Sequence, residues 1–303
     1  MLAIVIPFFK INFFEETLDS LAAQTNKNFK VYIGDDNSPD NPYDLIDFYK
    51  TKLNINYKRF EKNLGGISLT KQWDRCIALA ENEEWIMILG DDDILDFNVV
   101  DQFYKNLKEI DLHKIKVVRY ASQEINDDSI VTSKEFYHPQ IQQIEDFFIN
   151  RFFNDVRSSL SEYIFSKSQY KLHGFRDITL AWYADDLAWI DFTEFGRIYT
   201  INDAVVKFRL SKYNISRSDY LPAKKLELRY SYLKIILENY IKYFKLEHRK
   251  QILIEYERMT YFLKGSSLKF WYVFIPYIVR YRGILEALKF SKRVLEVKLK
   301  KNE

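Results

Sequence analysis

The sequence predicts an α/β fold: a doubly wound, mostly parallel sheet followed by a C-terminal helical appendage. Three observations carry this. Short apolar runs alternate with helix-period segments through the first hundred residues, in the βαβα rhythm that builds parallel sheets with helices on both faces. Acidic loops at 35–40 and 91–93 directly follow two of the apolar runs, which puts them on the one edge of the sheet where such folds bind ligands. From about residue 222 the strand pattern stops, and apolar residues recur only at helical spacing.

The run from Leu2 to Pro7 is continuously apolar and ends in proline, as a buried strand does. Phe14, Leu18, Leu21 and Ala22 share one helical face, so about 13–25 is an amphipathic helix. Phe29 to Gly34 is a second strand, and Asp35 to Asp40 is a loop rich in residues that bond their own backbone. A helix at about 42–51, a strand near Ile55 to Arg59, a turn at Asn63 to Gly66 and a helix at about 67–81 follow. A fourth strand, Trp85 to Leu89, runs into Gly90-Asp91-Asp92-Asp93. Next come a helix, a strand at Lys116 to Ala121, a polar stretch, a helix at about 143–153, and mixed elements through 161–210. The domains expected are 1–220, catalytic, and 221–303, helical.

Composition narrows the class. With 47% hydrophobic residues the chain buries a sizeable core, and 8 Gly and 6 Pro in 303 residues exclude collagenous and Gly-linked architectures. The single cysteine, Cys76, excludes an intrachain disulfide and a cysteine metal cluster, and fits a reduced, cytoplasmic compartment. Met1 leads straight into the apolar run, with no basic segment and no small-residue cleavage site, so no secretory leader is expected. No apolar stretch reaches the 18 residues of a membrane span. Charge is uneven: residues 221–303 hold 19 basic and 8 acidic side chains, a net +11, while the first 220 hold 26 and 35, a net −9. An acidic body with a basic tail suggests two roles, the tail meeting an anionic surface or forming a solvated helical face.

Three acidic constellations are candidates for chemistry. Asp91, Asp92 and Asp93 repel one another unless a cation or solvent relieves them, and their hard oxygens suit Mg²⁺ or Mn²⁺ bound together with substrate phosphates. The alternative is a helix N-terminus, which favours acids but needs fewer than three. Asp35-Asp36-Asn37-Ser38 follows a strand where a carboxylate can accept hydrogen bonds from a base or a ribose; the alternative is an Asx-turn or helix cap. Asp185-Asp186 lies among Trp182, Tyr183 and Trp189. Partial desolvation there raises basicity, as a general base needs, and the rings offer faces for a sugar; the alternative is a capped helix with buried aromatics. The four histidines, 113, 138, 173 and 248, have no metal-ligand spacing.

Together these segments resemble family 2 glycosyltransferases of the glycosyltransferase A fold, over about 1–217 and in the family's order. "IVIPFFK" is similar to the first strand, and "EETLDSLAAQTNKNFKVYIGDDNSPD" to the helix, second strand and "DDGS" loop. "NLGGIS" is similar to the "N-x-G" turn, and "EEWIMILGDDDIL" to the strand and metal motif. "WYADDLAWI" is similar to the "ED" motif, and "FRLSKYNIS" to the closing "Y-R…H…S" segment. The resemblance implies an inverting transfer from a UDP-sugar or other nucleoside-diphosphate sugar to a saccharide or lipid-linked acceptor, in surface or capsular polysaccharide synthesis. It implies that Asp36 and Pro7 hold the nucleotide and that Asp92 ligates Mn²⁺ or Mg²⁺, with Asp91 beside it on ribose or metal. It implies Asp186 as the base. Three positions depart from the family pattern. Phe9-Lys10 replaces aromatic-Asn, Ser211 stands where many members carry His, and Gly90 takes the first place of "D-x-D". The last leaves the ligand set open among Asp91, Asp92 and Asp93.

A sugar nucleotidyltransferase would want a Gly-rich loop after the first strand, and Phe8 to Asn12 has no glycine. A degenerate, non-catalytic sugar-nucleotide-binding module would not need both Asp92 and Asp186. Nucleic acid is not an expected partner. The last expectation concerns Phe270 to Val279, apolar and aromatic but too short to span a bilayer, followed by Arg280, Arg282, Lys289, Lys292 and Arg293 among Ile284, Leu285, Leu288 and Val294. That pattern suits a helix lying on anionic lipid at the inner face of the cell membrane. The alternative is that Trp271, Phe274 and Ile278 pack on protein, either the catalytic domain or a second subunit of a homo-oligomer.

Overall fold

The computed structural model describes residues 1–211, 222–264 and 268–299. The chain divides into two compact units, Met1–Ser218 and Asp219–Glu303. Lys212 to Ser216 of the closing segment, and the 220/221 boundary, lie outside the described residues.

Among the described residues the first unit is built on a nine-stranded sheet of order β3-β2-β1-β4-β8-β6-β9-β5, with β7 also on β9. The strands are β1 (Leu2–Phe8), β2 (Phe29–Asp35), β3 (Ile55–Arg59), β4 (Trp85–Ile88), β5 (Ile94–Leu95), β6 (Val117–Ile125), β7 (Ile141–Gln143), β8 (Tyr163–Ser166) and β9 (Arg197–Arg209). β3, β2, β1 and β4 are parallel. β8 runs against both β4 and β6, β9 is parallel to β6, and β5 and β7 run against β9. Six of the nine strands therefore point one way, which is the mostly parallel α/β sheet expected.

Helices α1 (Phe14–Ala22), α2 (Tyr43–Lys50), α3 (Leu69–Ile77), α4 (Val99–Leu112), α5 (Ile144–Phe153), α6 (Lys167–His173) and α7 (Ala184–Phe192) cover the sheet. β1 is covered on both faces, which is why it reads as an unbroken apolar run. Leu2, Ile4 and Ile6 join Phe14, Leu18 and Leu21 of α1 and Val99 and Phe103 of α4 in one core. The strand-to-helix approach on the α3 side is so close that a Cβ at Gly34 would lie 2.3 Å from Cys76 Sγ, so β2 needs glycine there.

The second unit is helical: α8 (Pro222–Asn239), α9 (Leu246–Lys264), α10 (Leu268–Arg282) and α11 (Ile284–Leu299). Gly283 separates the last two with φ +94, and its N–H donates to Ile278 O at 3.0 Å. Left-handed glycine ends a helix this way without the clash a Cβ brings. Trp271, Phe274 and Ile278 are buried inside this unit: Trp271 lies 4.4 Å from Tyr261 and 5.0 Å from Phe290, and Phe274 5.3 Å from Tyr256, between ring centroids. The aromatic stripe is therefore the unit's own core. No helix among the described residues is long and apolar enough to cross a membrane.

Candidate active site

The carboxyl ends of β1, β2 and β4 open onto a cavity of about 840 Å³. Pro7, Asp36, Asp91, Asp92 and Asp185 all line it, so four stretches far apart in sequence are brought together; Asp186 is not in its wall.

In the first loop the two adjacent acids do different jobs. Asp35 is fully buried: one oxygen accepts the Ser38 N–H at 2.8 Å, and the other accepts the Tyr57 hydroxyl at 2.6 Å and Arg59 Nη1 at 2.9 Å. It fixes the turn. Asp36 accepts the N–H groups of Leu64 at 2.6 Å and Gly65 at 2.8 Å, and also the Arg75 guanidinium. A carboxylate has about four acceptor positions. Three are filled, and the fourth, on Oδ2, is left at the cavity wall. Arg75 is held in turn by its stack on Phe60, 4.0 Å from the ring centroid, and by the Lys62 carbonyl at 3.0 Å. The "NLGG" turn was legible from sequence, but its attachment to Asp36 through Arg75 was not.

The Asp91–Asp93 loop divides in the same way. Asp91 Oδ2 accepts the N–H groups of Phe9 at 2.8 Å and Lys10 at 2.9 Å, tying this loop to the end of β1. Asp93 is buried; one oxygen accepts the Arg209 N–H at 2.9 Å and the other the Ser161 hydroxyl. The Asp92 carboxylate accepts a hydrogen bond from no described residue. Burial raises the pKa of all three; for Asp92, with the charges of Asp93 and Asp91 adding to it, the value is pushed up to about 8. Such an excess of negative charge is what a divalent cation relieves. Among the described residues no group of three or more His, Cys, Asp or Glu could hold a metal alone. An ion held there would have to complete its shell with phosphate oxygens, as Mg²⁺ commonly does. The glycine in the first place of the motif has a steric cause: a Cβ at Gly90 would lie 2.8 Å from Asp93 Oδ2 and 3.0 Å from Asp92 Oδ1.

Arg209, at the end of β9, secures this corner. It is fully buried, lies 4.1 Å from the Phe13 ring centroid, and donates to the Asp92 carbonyl at 3.0 Å, the Asn126 carbonyl at 2.7 Å and Glu16 at 2.9 Å. Ser211, one of the positions that depart from the family pattern, is buried just beyond it.

The third acidic pair sits at the start of α7, after Tyr183 in the left-handed region at φ 69. Asp185 is half-buried in the cavity wall, and burial together with the charge of Asp186 pushes its pKa up to about 7. Asp186 is fully buried; Oδ2 accepts Arg151 Nε at 3.1 Å, while Oδ1 has no hydrogen-bond partner among the described residues. Of the aromatics expected here, Trp182 and Tyr183 line the cavity. Trp189 does not: it is buried and stacks on Tyr163 at 4.4 Å, so it is core. Trp73 packs edge-on against Phe175 at 5.3 Å and also lines the cavity.

The family model for glycosyl transferase family 2 matches residues 3–166, from β1 through β8, including both acidic loops at the strand ends. The chain belongs to glycosyl transferase family 2. The match covers Asp36 and Asp91–Asp93 and stops short of Asp185, Asp186 and Arg209. Glycosyltransferase GlyG of Streptococcus pneumoniae serotype 4 (strain ATCC BAA-334 / TIGR4) is 24% identical over 140 residues, which is 45% of each chain. The chain thus aligns with less than half the length of that curated relative. S. aureus TarS 1-349 in complex with UDP-GlcNAc shares the fold, with a TM-score of 0.64 over 92% of this chain and 80% of TarS 1-349, at 19% identity. The same fragment in complex with UDP gives 0.56 over 83% and 78%, also at 19% identity. This chain therefore shares its fold with TarS 1-349.

Proposed function

We propose that the chain is a glycosyltransferase that moves a sugar from a UDP-sugar to a saccharide or lipid-linked acceptor with inversion, in the synthesis of a surface or capsular polysaccharide. The observation that carries this is the division of labour around one cavity. Asp36 keeps one acceptor position at the wall, Asp92 keeps an open carboxylate, and Asp185 faces inward with a raised pKa. The UDP-GlcNAc and UDP complexes of TarS support a uridine donor. Asp36 accepts the N3–H of uracil, with Pro7 beside it. Asp92, with Asp91 adjacent, would hold Mg²⁺ or Mn²⁺, which would supply neutralising charge to the departing diphosphate. Asp185 takes the proton of an acceptor hydroxyl. That oxygen bonds to the anomeric carbon as the bond to the diphosphate oxygen breaks. This places the base one residue before Asp186, the residue the family resemblance implies, because Asp186 is fully buried against Arg151 and outside the cavity wall.

Nucleotide preference tests the reading. Cytosine presents an acceptor where uracil presents N3–H, so it leaves the remaining acceptor position of Asp36 unfilled. With Mn²⁺ present, UDP is expected to raise the melting temperature more than CDP does, and Asp36→Ala to remove the difference. Equal stabilisation by UDP and CDP in the parent overturns the role of Asp36. No stabilisation by any nucleotide diphosphate overturns the function.

The helical unit supports a second, finer reading: contact with the anionic inner face of the cell membrane. On α11, Leu285, Leu288 and Leu295 are exposed and share a face with Lys292 at three- and four-residue spacing; Val294 is instead buried. Leucines beside lysine suit the interface of an anionic bilayer. The full chain is expected to sediment with phosphatidylglycerol vesicles at low salt, less so at high salt, and Leu285→Glu with Leu288→Glu to abolish it. Sedimentation unchanged by the double substitution rules this face out. Self-association of the full chain without lipid, lost in the same variant, assigns the face to a second copy.

A further inference from the structure

A second recess, of about 340 Å³, lies at the opposite edge of the sheet from the cavity that gathers the acidic loops. It is lined by residues 112–116, between α4 and β6, and by Thr193, Gly196 and Arg197, between α7 and β9. β6 and β9 run the same way as β1 and β4, so their first residues stand at the edge where β1 and β4 begin. Lys114, Lys116 and Arg197 line the recess, and no acidic residue does. None of the three forms an ion pair or a side-chain hydrogen bond with a described residue. His113, also at the rim, is engaged by Glu109 at 3.5 Å. Three unpaired cations thus share one recess within a stretch, 1–220, whose net charge is −9.

Helix capping does not account for them. α4 closes on its own backbone: Lys114 N–H donates to Asp111 O at 3.0 Å and Ile115 N–H to Ile110 O at 2.9 Å. α7 closes in the same way, Glu194 N–H on Asp191 O at 2.9 Å and Phe195 N–H on Ile190 O at 3.2 Å. Lys114 stands at φ 54, the left-handed position where helices usually place glycine, so its side chain is kept at the rim against local preference. Each helix end carries about −0.5 elementary charge, so the two offset roughly one of the three cations and leave about +2.

We propose that this recess binds a phosphate group, as free phosphate or as a small soluble phosphate ester. Such a group carries about −1.5 to −2 at pH 7, which matches the residual charge, whereas a carboxylate leaves about half of it unopposed. The Arg197 guanidinium presents a fork of N–H donors suited to two phosphate oxygens, and the two ammonium groups add further donors. A flat anionic surface fits less well: Glu109, Asp111 and Glu194 are exposed within a few residues of the lining and repel it. The site does not depend on the donor reading, since Asp36 and Asp92 lie at the other edge of the sheet.

Amide NMR shifts of the full chain test this, followed as inorganic phosphate, and separately glycerol 3-phosphate, replaces sodium chloride at constant ionic strength. Saturable shifts are expected at residues 112–116 and 193–197. Arg197→Gln is expected to weaken phosphate by about fivefold or more, the worth of one charge contact near 4 Å in water. Lys114→Gly is expected to weaken it similarly without lowering the melting temperature, because glycine takes the left-handed position freely. A loss of binding in that variant is then not a loss of folding. Sedimentation with phosphatidylglycerol vesicles is expected to be the same for the parent and both variants. Shifts that do not saturate, or that both variants retain at the parent's affinity, overturn the site. So do shifts confined to residues 90–93, or vesicle binding that falls in the variants while neither soluble phosphate binds.

Discussion

Asp185→Asn is expected to lower the transfer rate by about 10²–10⁴-fold, the usual loss on removing a general base, while UDP still stabilises the protein. Asp185 faces the cavity, and burial plus the neighbouring negative charge of Asp186 push its pKa up to about 7. The base must be unprotonated to act. The rate is therefore expected to fall as pH drops through about 7 and to level off above it, and Asp185→Asn to lose that acid limb. Asp186→Asn is expected to behave differently. It breaks a pair in which the carboxylate is fully buried and Arg151 is a quarter exposed. Its main effect is then on stability, roughly 3 kcal/mol, at the low end for breaking a buried pair. Rates and melting temperatures of the two variants, measured side by side, separate these roles. If Asp186→Asn loses transfer at an unchanged melting temperature while Asp185→Asn stays active, the base is Asp186, as the family resemblance implies.

That one-residue question shows where the sequence stopped being informative. β1, β2 and β4 were legible because burial on both faces makes each an apolar run, and their helices because one face is apolar at a period near 3.6. β5 and β7 have two and three residues, too few to show alternation, and exist only because β9 pairs with them. The reversed direction of β8 is likewise set by partners distant in sequence, β4 and β6. The site follows the same rule. That acids cluster at strand ends was readable. Which of two or three adjacent aspartates faces the cavity was not, since their partners come from elsewhere: residues 64, 65 and 75 for Asp36, 9 and 10 for Asp91, 161 and 209 for Asp93. Arg75 and Arg209 carried no signal beyond membership of a helix and of a closing strand.

Asp92→Asn is expected to abolish the Mn²⁺-dependent part of stabilisation by UDP. Binding to the folded state alone contributes about 2.7 kcal/mol when the ligand is at about 100 times its Kd. For a unit of this size each kcal/mol moves the melting temperature by about 2–4 °C. The parent is therefore expected to gain roughly 5–10 °C from UDP with Mn²⁺, and Asp92→Asn only what UDP gives without metal. The assignment follows from the neighbours. Asp91 is engaged by the Phe9 and Lys10 amides and Asp93 by Ser161 and Arg209, whereas the Asp92 carboxylate accepts from no described residue. Its pKa, pushed up to about 8 by burial and by Asp93 and Asp91, should also make Asp92→Asn neutral or stabilising without ligand, because the substitution removes repulsion and no hydrogen bond. Asp93→Asn is expected to destabilise instead, since an amide must replace an acceptor for both the Ser161 hydroxyl and the Arg209 N–H. The decisive pattern is a melting temperature at or above the parent's without ligand, combined with no Mn²⁺ effect on UDP binding. An Asp92→Asn protein that responds to UDP and Mn²⁺ as the parent does moves the ion to Asp91, the remaining acid of the loop that lines the cavity without being buried.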